Sequence, residues 1–347
     1  MTISTLTASD GLSPLGDRAD PRAWIRYPSI DDCLGPSATR FFGEGFRRVG
    51  VRLYGVAVRP APAGGGVTAT AEVRYPAGWS VRDAHDAPRP HLSTIDTLVI
   101  AVQAAEAYLT HSFGLQEADR RRMWVRVYTM RAGTKPQEDL AAVPVHGTAL
   151  HTVPVLGGLG QAVTSFEISI GVMRISFDVE HDVRAAASAP AEWADAQDLL
   201  GAAEDRYYGR GFARRPQRIS AVEVDTENGH ATALVAVGPE GAGSGFAANY
   251  EPALSMVDAI VATAQMAQAA MYGVDGVERW QTGTLWMRRL WMTARTPLQP
   301  LSNPFVSSLS LRRKRLDRGG ASWRLYEGLA SFQGIEATAS LAYTVEA

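Results

Sequence analysis

Apolar residues crowd two long stretches of the chain, Ile95–Leu109 and Met256–Met271, where polar side chains are few and small residues common. Neither has the one-sided apolar stripe of a surface helix, so each predicts a helix buried on nearly every side. The first should run from Ser93 to about Phe113 and the second from Ser255 to about Tyr272. The two begin alike. Leu92-Ser93-Thr94-Ile95-Asp96 and Leu254-Ser255-Met256-Val257-Asp258 share a Leu-Ser-x-aliphatic-Asp pattern, and each places a glutamine seven residues after the aspartate, Gln103 and Gln265. A helix turns about 100° per residue, so Asp and Gln fall on one face. Each copy is an apolar rod with a single polar stripe.

Around these helices the pattern changes to strands. Val49–Arg59 and Val67–Tyr75 flank the turn Ala61-Pro62-Ala63-Gly64-Gly65-Gly66 and predict a hairpin ahead of the first helix. Ile219–Val224 and Ala231–Val237, on either side of Glu227-Asn228-Gly229, predict another ahead of the second. Strands should follow each helix: Trp124–Met130 and Phe166–Val179 in the first case, and Leu285–Thr293, Ser307–Arg313, Trp323–Phe332 and Glu336–Val345 in the second. The stretch through Pro136 and Pro144 predicts a loop, and Pro28–Pro36 a short helical turn.

The order of motifs repeats as well. Leu92 to Leu254 is a shift of 254 − 92 = 162, and Trp124 to Trp286 gives 162 again. Phe42-Gly43-Glu44-Gly45-Phe46 answers Tyr208-Gly209-Arg210-Gly211-Phe212 with a shift of 166. A repeat of this kind marks a duplicated domain. The chain divides into a tail over 1–23, a first repeat over 24–184, an Ala-rich acidic linker over 185–205 and a second repeat over 206–347. A long apolar helix behind a hairpin and ahead of several strands needs a sheet that curls around it. The expected class is therefore α+β, a double hot dog of two tandem repeats, with a β-sandwich or unrelated α+β pairs as the other options.

Composition narrows the functional classes. A formal charge of −2 over 347 residues gives no general case for nucleic acid or an anionic membrane. One cysteine, Cys33, excludes an internal disulfide framework and fits a reducing compartment. The apolar stretches are shorter than a membrane span and carry Asp and Gln. The start lacks a basic-then-apolar signal pattern. A soluble, cytoplasmic protein is expected, with a homodimer left open.

Candidate chemistry gathers at the helix starts. Asp96 and Asp258 could act as general acid or base, or serve as N3 residues of capping boxes with Ser93 and Ser255. Gln103 and Gln265, two turns deeper, could bind an acyl carbonyl or be satisfied buried amides between the halves. His91 stands just before the first helix, and its counterpart is Ala253. A histidine kept in one repeat only suggests an asymmetric site, with His91 from one side and Asp258 from the other. Arg89 could pair with a phosphate or carboxylate of a substrate or carrier, and the clusters Arg120-Arg121-Arg122 and Arg312-Arg313-Lys314-Arg315 could dock an acidic carrier protein. His146 and His151 have no acidic or Cys partner at metal-ligand spacing, and the Gly-rich stretches lack a phosphate-loop context. Neither a metal nor a cofactor is expected.

A set of motifs resembles the avirulence D family of bacteria: Pro28-Ser29-Ile30-Asp31-Asp32, Leu34-Gly35-Pro36, Arg40-Phe41-Phe42-Gly43, Arg89-Pro90-His91-Leu92-Ser93-Thr94-Ile95-Asp96, Pro136-Gln137-Glu138 and Gly171-Val172-Met173-Arg174. The resemblance implies the joining of a β-ketoacyl thioester, carried by acyl carrier protein or coenzyme A, to a xylulose-like sugar or other small polyol, on the way to a syringolide- or butenolide-type lactone. A looser similarity links the chain to the γ-butyrolactone autoregulator synthases. Glu251-Pro252-Ala253-Leu254-Ser255-Met256-Val257-Asp258 is also similar to the Pro-Ala-Leu-Leu-Asp of double hot-dog dehydratases, with one extra residue. His91 lacks the Gly and Pro-Gly that follow the dehydratase histidine, which favours acyl transfer over dehydration. A β-hydroxyacyl dehydratase or hydratase, or a non-catalytic acyl or lactone binder, are the alternative readings.

Overall fold

The computed structural model describes residues 24–61, 64–81, 89–158, 160–184, 189–239, 241, 243–299, 304–318 and 321–345; the side chains of 315–318 and 321–322 are outside the description. The expected tail over 1–23 and the segments 82–88 and 185–188 therefore lie outside the described residues. In chain order, β1 (Trp24–Ser29) and α1 (Ile30–Leu34) lead through a π-helical turn at Phe41–Gly45 into the hairpin β2 (Gly50–Arg59) and β3 (Gly66–Arg74). The long helix α2 (Thr94–Ser112), the short α3 (Glu117–Arg120), β4 (Trp124–Arg131), β5 (Val143–Pro154), β6 (Gln161–Ile170) and β7 (Met173–Asp182) follow. The same order then recurs: β8 (Ala191–Asp195), α4 (Ala196–Leu200), a π-helical turn at Tyr207–Gly211, a single turn α5 (Phe212–Arg214), β9 (Gln217–Asp225), β10 (His230–Val237), α6 (Met256–Asp275), β11 (Trp286–Ala294), β12 (Phe305–Arg318), β13 (Ala321–Phe332) and β14 (Ile335–Thr344).

Among the described residues fourteen strands form one sheet in the order β1-β9-β10-β12-β13-β14-β11-β4-β7-β6-β5-β3-β2-β8. Each half of it curls round one long helix, which is the double hot-dog arrangement. Every residue of α2 except His111 is buried, as a rod wrapped on all sides requires. Both long helices carry complete capping boxes, Ser93 with Asp96 and Ser255 with Asp258. The halves meet where β4 pairs antiparallel with β11, Arg131 opposite Arg289 and Val127 opposite Thr293. Among the described residues no helix is long and apolar enough to cross a membrane.

Three features differ from the expectations. The single strand expected at Phe166–Val179 is two strands, because Gly171 takes φ +52° and turns the chain back so that Ile170 faces Met173. The expected loop through Pro144 is largely β5: Val143, Val145, Gly147 and Ala149 point inward while their neighbours face solvent, an alternation masked by small residues. The third concerns the edges. β1, in the first repeat by sequence, pairs with β9 of the second half, and β8, inside the stretch read as a linker, pairs with β2 of the first half. Each edge is thus closed by a strand borrowed from the other repeat, leaving neither β9 nor β2 as an open template.

Two buried arginines mark the crossings. Arg40 follows α1 and donates from Nη1 to Gln265 on α6 and from Nη2 to Asp31. Its counterpart Arg206 (40 + 166) follows α4 and donates from Nη2 to Gln103 on α2 at 3.4 Å. Arg206 also lies 3.6 Å from the fully buried Glu106. Gln103 and Gln265 are therefore receptors for an arginine at each crossing. Removing one member of such a set leaves a buried polar group unpaired, and for a buried ion pair the cost is about 3–5 kcal/mol. Arg206→Met should lower unfolding free energy in urea by about that much, and Gln265→Leu by about 1–3 kcal/mol.

His181 offers a check on pH. It is buried on β7; Nδ1–H donates to the Asp182 carbonyl at 2.7 Å, so Nε2 accepts from the Thr164 hydroxyl at 2.7 Å. Burial lowers its pKa from 6.5 to about 4. A neutral ring favours the fold above pH 6.5, and that contribution is lost as pH falls from 6.5 toward 4, by up to about 3 kcal/mol. Denaturation midpoints of the wild type should fall across this window more steeply than those of His181→Gln; equal slopes would contradict the assignment.

Candidate functional site

The duplication places two equivalent hollows at the N-terminal ends of α2 and α6, and they have diverged. The hollow at α2 is a cavity of about 590 Å³; the one at α6 encloses about 60 Å³. Their walls correspond residue by residue. Phe41, Phe42, His91, Leu92, Ser93, Gln137 and Trp286 line the first, and Tyr207, Tyr208, Ala253, Leu254, Ser255, Gln299 and Trp124 the second. One backbone bond recurs as well: Leu92 N–H donates to Gln137 O at 2.9 Å, and Leu254 N–H to Gln299 O at 3.1 Å.

The larger cavity spans both repeats. From the first come the aromatic Phe41, Phe42 and Trp79 and the start of α2; from the second come Gln268 on α6, Trp286 and Met287 on β11, and Trp323, Leu325 and Ala342. His91 sits between two tryptophans, with ring centroids 6.0 Å from Trp79 and 4.9 Å from Trp286, and its Nδ1 lies 3.2 Å from the Arg89 carbonyl. The carbonyl contact assigns the proton to Nδ1 and leaves Nε2 as the acceptor. Arg40, His91, Lys135, Arg279 and Arg288 line the cavity, and no aspartate or glutamate is among its described lining residues. The field inside favours an anionic ligand. Behind the wall, Asp96 accepts from the Tyr75 hydroxyl, from Ser93 N–H at 2.9 Å and from Ser93 Oγ at 2.8 Å. Burial raises the pKa of Asp96 above the ordinary carboxylate range. Ser93, which lines the cavity, is thus held from behind by a buried carboxyl.

Arg215 lines the second hollow. It stands where the first repeat has Val49 (49 + 166), and its side chain is 1 % exposed. Its guanidinium donates to Ala253 O at 2.8 Å, Pro252 O at 2.9 Å and Gly238 O at 3.0 Å, and lies 3.2 Å from Asp258. Asp258 also accepts from Gln217 Nε2 at 2.7 Å. A charge that deep is tolerable because hydrogen bonds and a counter-ion surround it.

The predicted residues therefore separate. His91 lines the large cavity, Asp96 lies behind it, and Asp258 is locked to Arg215 beside the closed hollow, so the structure does not bring His91 and Asp258 into one site. Gln103 and Gln265 face the crossing arginines. Arg89 is exposed on the approach to α2, 3.8 Å from Glu138. The cluster 120–122 is taken up internally: Arg120 by Glu106 and Glu117, Arg121 by Asn249, Arg122 by Asp119 and Asp182. Of the second basic run, Arg313 pairs with Asp275 and Lys314 with Glu327. Sequence reasoning missed Gln268, three residues beyond Gln265 and on the adjoining helix face, together with Trp79, Trp286 and Tyr75. The recurring Trp124/Trp286 pair carried a usable signal.

Opposite outcomes are expected for the two hollows. Arg215→Met leaves Asp258 buried and unpaired and should cost about 3–5 kcal/mol of stability in urea denaturation. His91→Ala, at a half-buried cavity wall, should shift stability by less than about 1 kcal/mol.

The chain is similar in fold to several solved structures, each at low identity. A hot-dog protein from Alicyclobacillus acidocaldarius matches at 10 % identity and a TM-score of 0.36 over 84 % of this chain and 96 % of its own. The tesB protein of Mycobacterium avium subsp. paratuberculosis matches at 11 % and 0.37 over 81 % and 93 %, and a bifunctional dehydratase-cyclase domain of ambruticin biosynthesis at 16 % and 0.34 over 84 % and 95 %. No curated protein matches the sequence. The model of the Pseudomonas avirulence D protein (AvrD) family matches residues 25–345, so this chain belongs to the AvrD family.

Proposed function

We propose that the protein is an acyltransferase of secondary metabolism that moves a β-ketoacyl group from a thioester to the hydroxyl of a small sugar or polyol, on the way to a syringolide- or butenolide-type lactone. Membership of the AvrD family supports the substrate class, and one observation carries the site: the cavity at the start of α2, where His91 is the imidazole on a wall whose described residues include basic and no acidic side chains. The carrier is acyl carrier protein or coenzyme A, whose phosphates suit the basic lining. In this reading His91 Nε2 takes the proton of the acceptor hydroxyl as its oxygen attacks the thioester carbonyl carbon. The C–S bond then breaks, and His91 returns the proton to the departing thiolate. First-turn amides of α2 point toward the developing oxyanion. The Ser93 hydroxyl, positioned by Asp96, orients the acceptor. The separation of His91 from Asp258 weighs against the dehydratase alternative, which needs both at one substrate.

The test is thiol release from a synthetic β-ketoacyl thioester, with and without xylulose or dihydroxyacetone, with products read by mass spectrometry. Release that depends on the acceptor, with an adduct of matching mass, is expected. His91→Ala should slow it about 10²–10⁴-fold at unchanged melting temperature. Release without acceptor would mean a thioesterase, a 2-enoyl product a dehydratase, and binding without turnover a sensor.

A further inference from the structure

Where the large cavity meets the sheet, three side chains lie abreast on one face. Trp286 on β11 faces Ala342 on β14, and Ala342 faces Leu325 on β13. All three line the cavity, and Ala342 is 3 % exposed between its larger neighbours. The small residue makes a notch walled by an indole and a leucine. The duplicate shows what the same three positions hold when no ligand has to pass. Shifted back by 162, they are Trp124, Glu180 and Val163, in the same register. There Arg126 lies over the Trp124 ring, 5.7 Å from its centroid, and 3.5 Å from Glu180, so charged side chains occupy the row. In the cavity half the counterpart of Glu180 is Ala342, and the counterpart of Arg126, Arg288, donates instead to the Gly133 carbonyl at 2.8 Å on the rim.

We propose that this notch seats the distal, apolar part of a linear acyl chain, and that Ala342 sets the chain length the protein accepts. The proposal rests on the acyl-thioester reading above and adds to it the residue that selects among substrates. The chemistry is that of an apolar groove continuous with a basic one. The head of the ligand lies among Lys135, Arg279 and Arg288, and its tail runs between Trp286 and Leu325 over the Ala342 methyl group.

Calorimetric titration with butanoyl-, octanoyl- and dodecanoyl-coenzyme A, and separately with sodium dodecanoate, tests it. Wild-type affinity should rise with length. Ala342→Leu fills the notch and should weaken dodecanoyl binding roughly tenfold or more relative to butanoyl binding. Leu325→Ala widens the notch and should move the preference toward the longer chain, which keeps the test decisive if Ala342→Leu fails to fold. A length profile that neither variant moves overturns the proposal. If dodecanoate binds but no thioester does, the thioester reading falls, and the notch stands or falls on whether the variants alter dodecanoate affinity. If the wild type binds neither, both are overturned.

Discussion

Everything in this molecule depends on two arginines being buried where the chain crosses from one half to the other. Arg40 and Arg206 each sit between an edge strand lent to the opposite half and the main body of their own repeat, and each is received by a glutamine of the opposite half's helix. A guanidinium is costly to take out of water, and the structure meets that cost with Asp31 at one crossing and Glu106 at the other. With both arginines fixed, the sheet edges are closed, the helices are held in place, and the hollows at their N-termini acquire walls from both repeats. The deeper part of the polar stripe on each long helix is therefore structural.

The duplication also shows how one scaffold becomes asymmetric by a few substitutions. His91 against Ala253 on the two walls, with Val49 against Arg215 and Ala342 against Glu180 nearby, distinguishes the half with the open cavity from the half with the closed hollow. In one half, small or neutral residues leave room beside an imidazole. In the other, a buried arginine is salt-bridged to Asp258 beside the small hollow.

Much of the fold was legible in the sequence because burial dictates it. Helices apolar on every side and alternating strands at a fixed spacing leave few alternatives to a sheet wrapped round each rod. His91 stood out because its duplicate position holds alanine. The exchanged edges were not legible: β1 and β8 are short and half-buried, and nothing in a local pattern says which neighbour a strand will choose. The placement of Asp258 apart from the cavity that His91 lines was not legible for the same reason. The partner of Asp258, Arg215, lies 258 − 215 = 43 residues away, shortly after the aromatic Tyr207–Gly211 turn, and only the folded backbone brings its guanidinium to Asp258. Gln268 was passed over because the repeat drew attention to Gln265, one turn earlier on the helix.

The exchange of edge strands also constrains how the chain can be made. As it leaves the ribosome, β1 has no partner until β9 has emerged, and Arg40 none on α6 until Gln265 follows. The first half in turn lacks its outer strand until β8 arrives, and Glu106, which already has Arg120, gains its second counter-charge only with Arg206. Neither half completes its contacts alone: a fragment ending at residue 184 would leave β2 without β8, β4 without β11, and Glu106 with Arg120 as its remaining counter-charge.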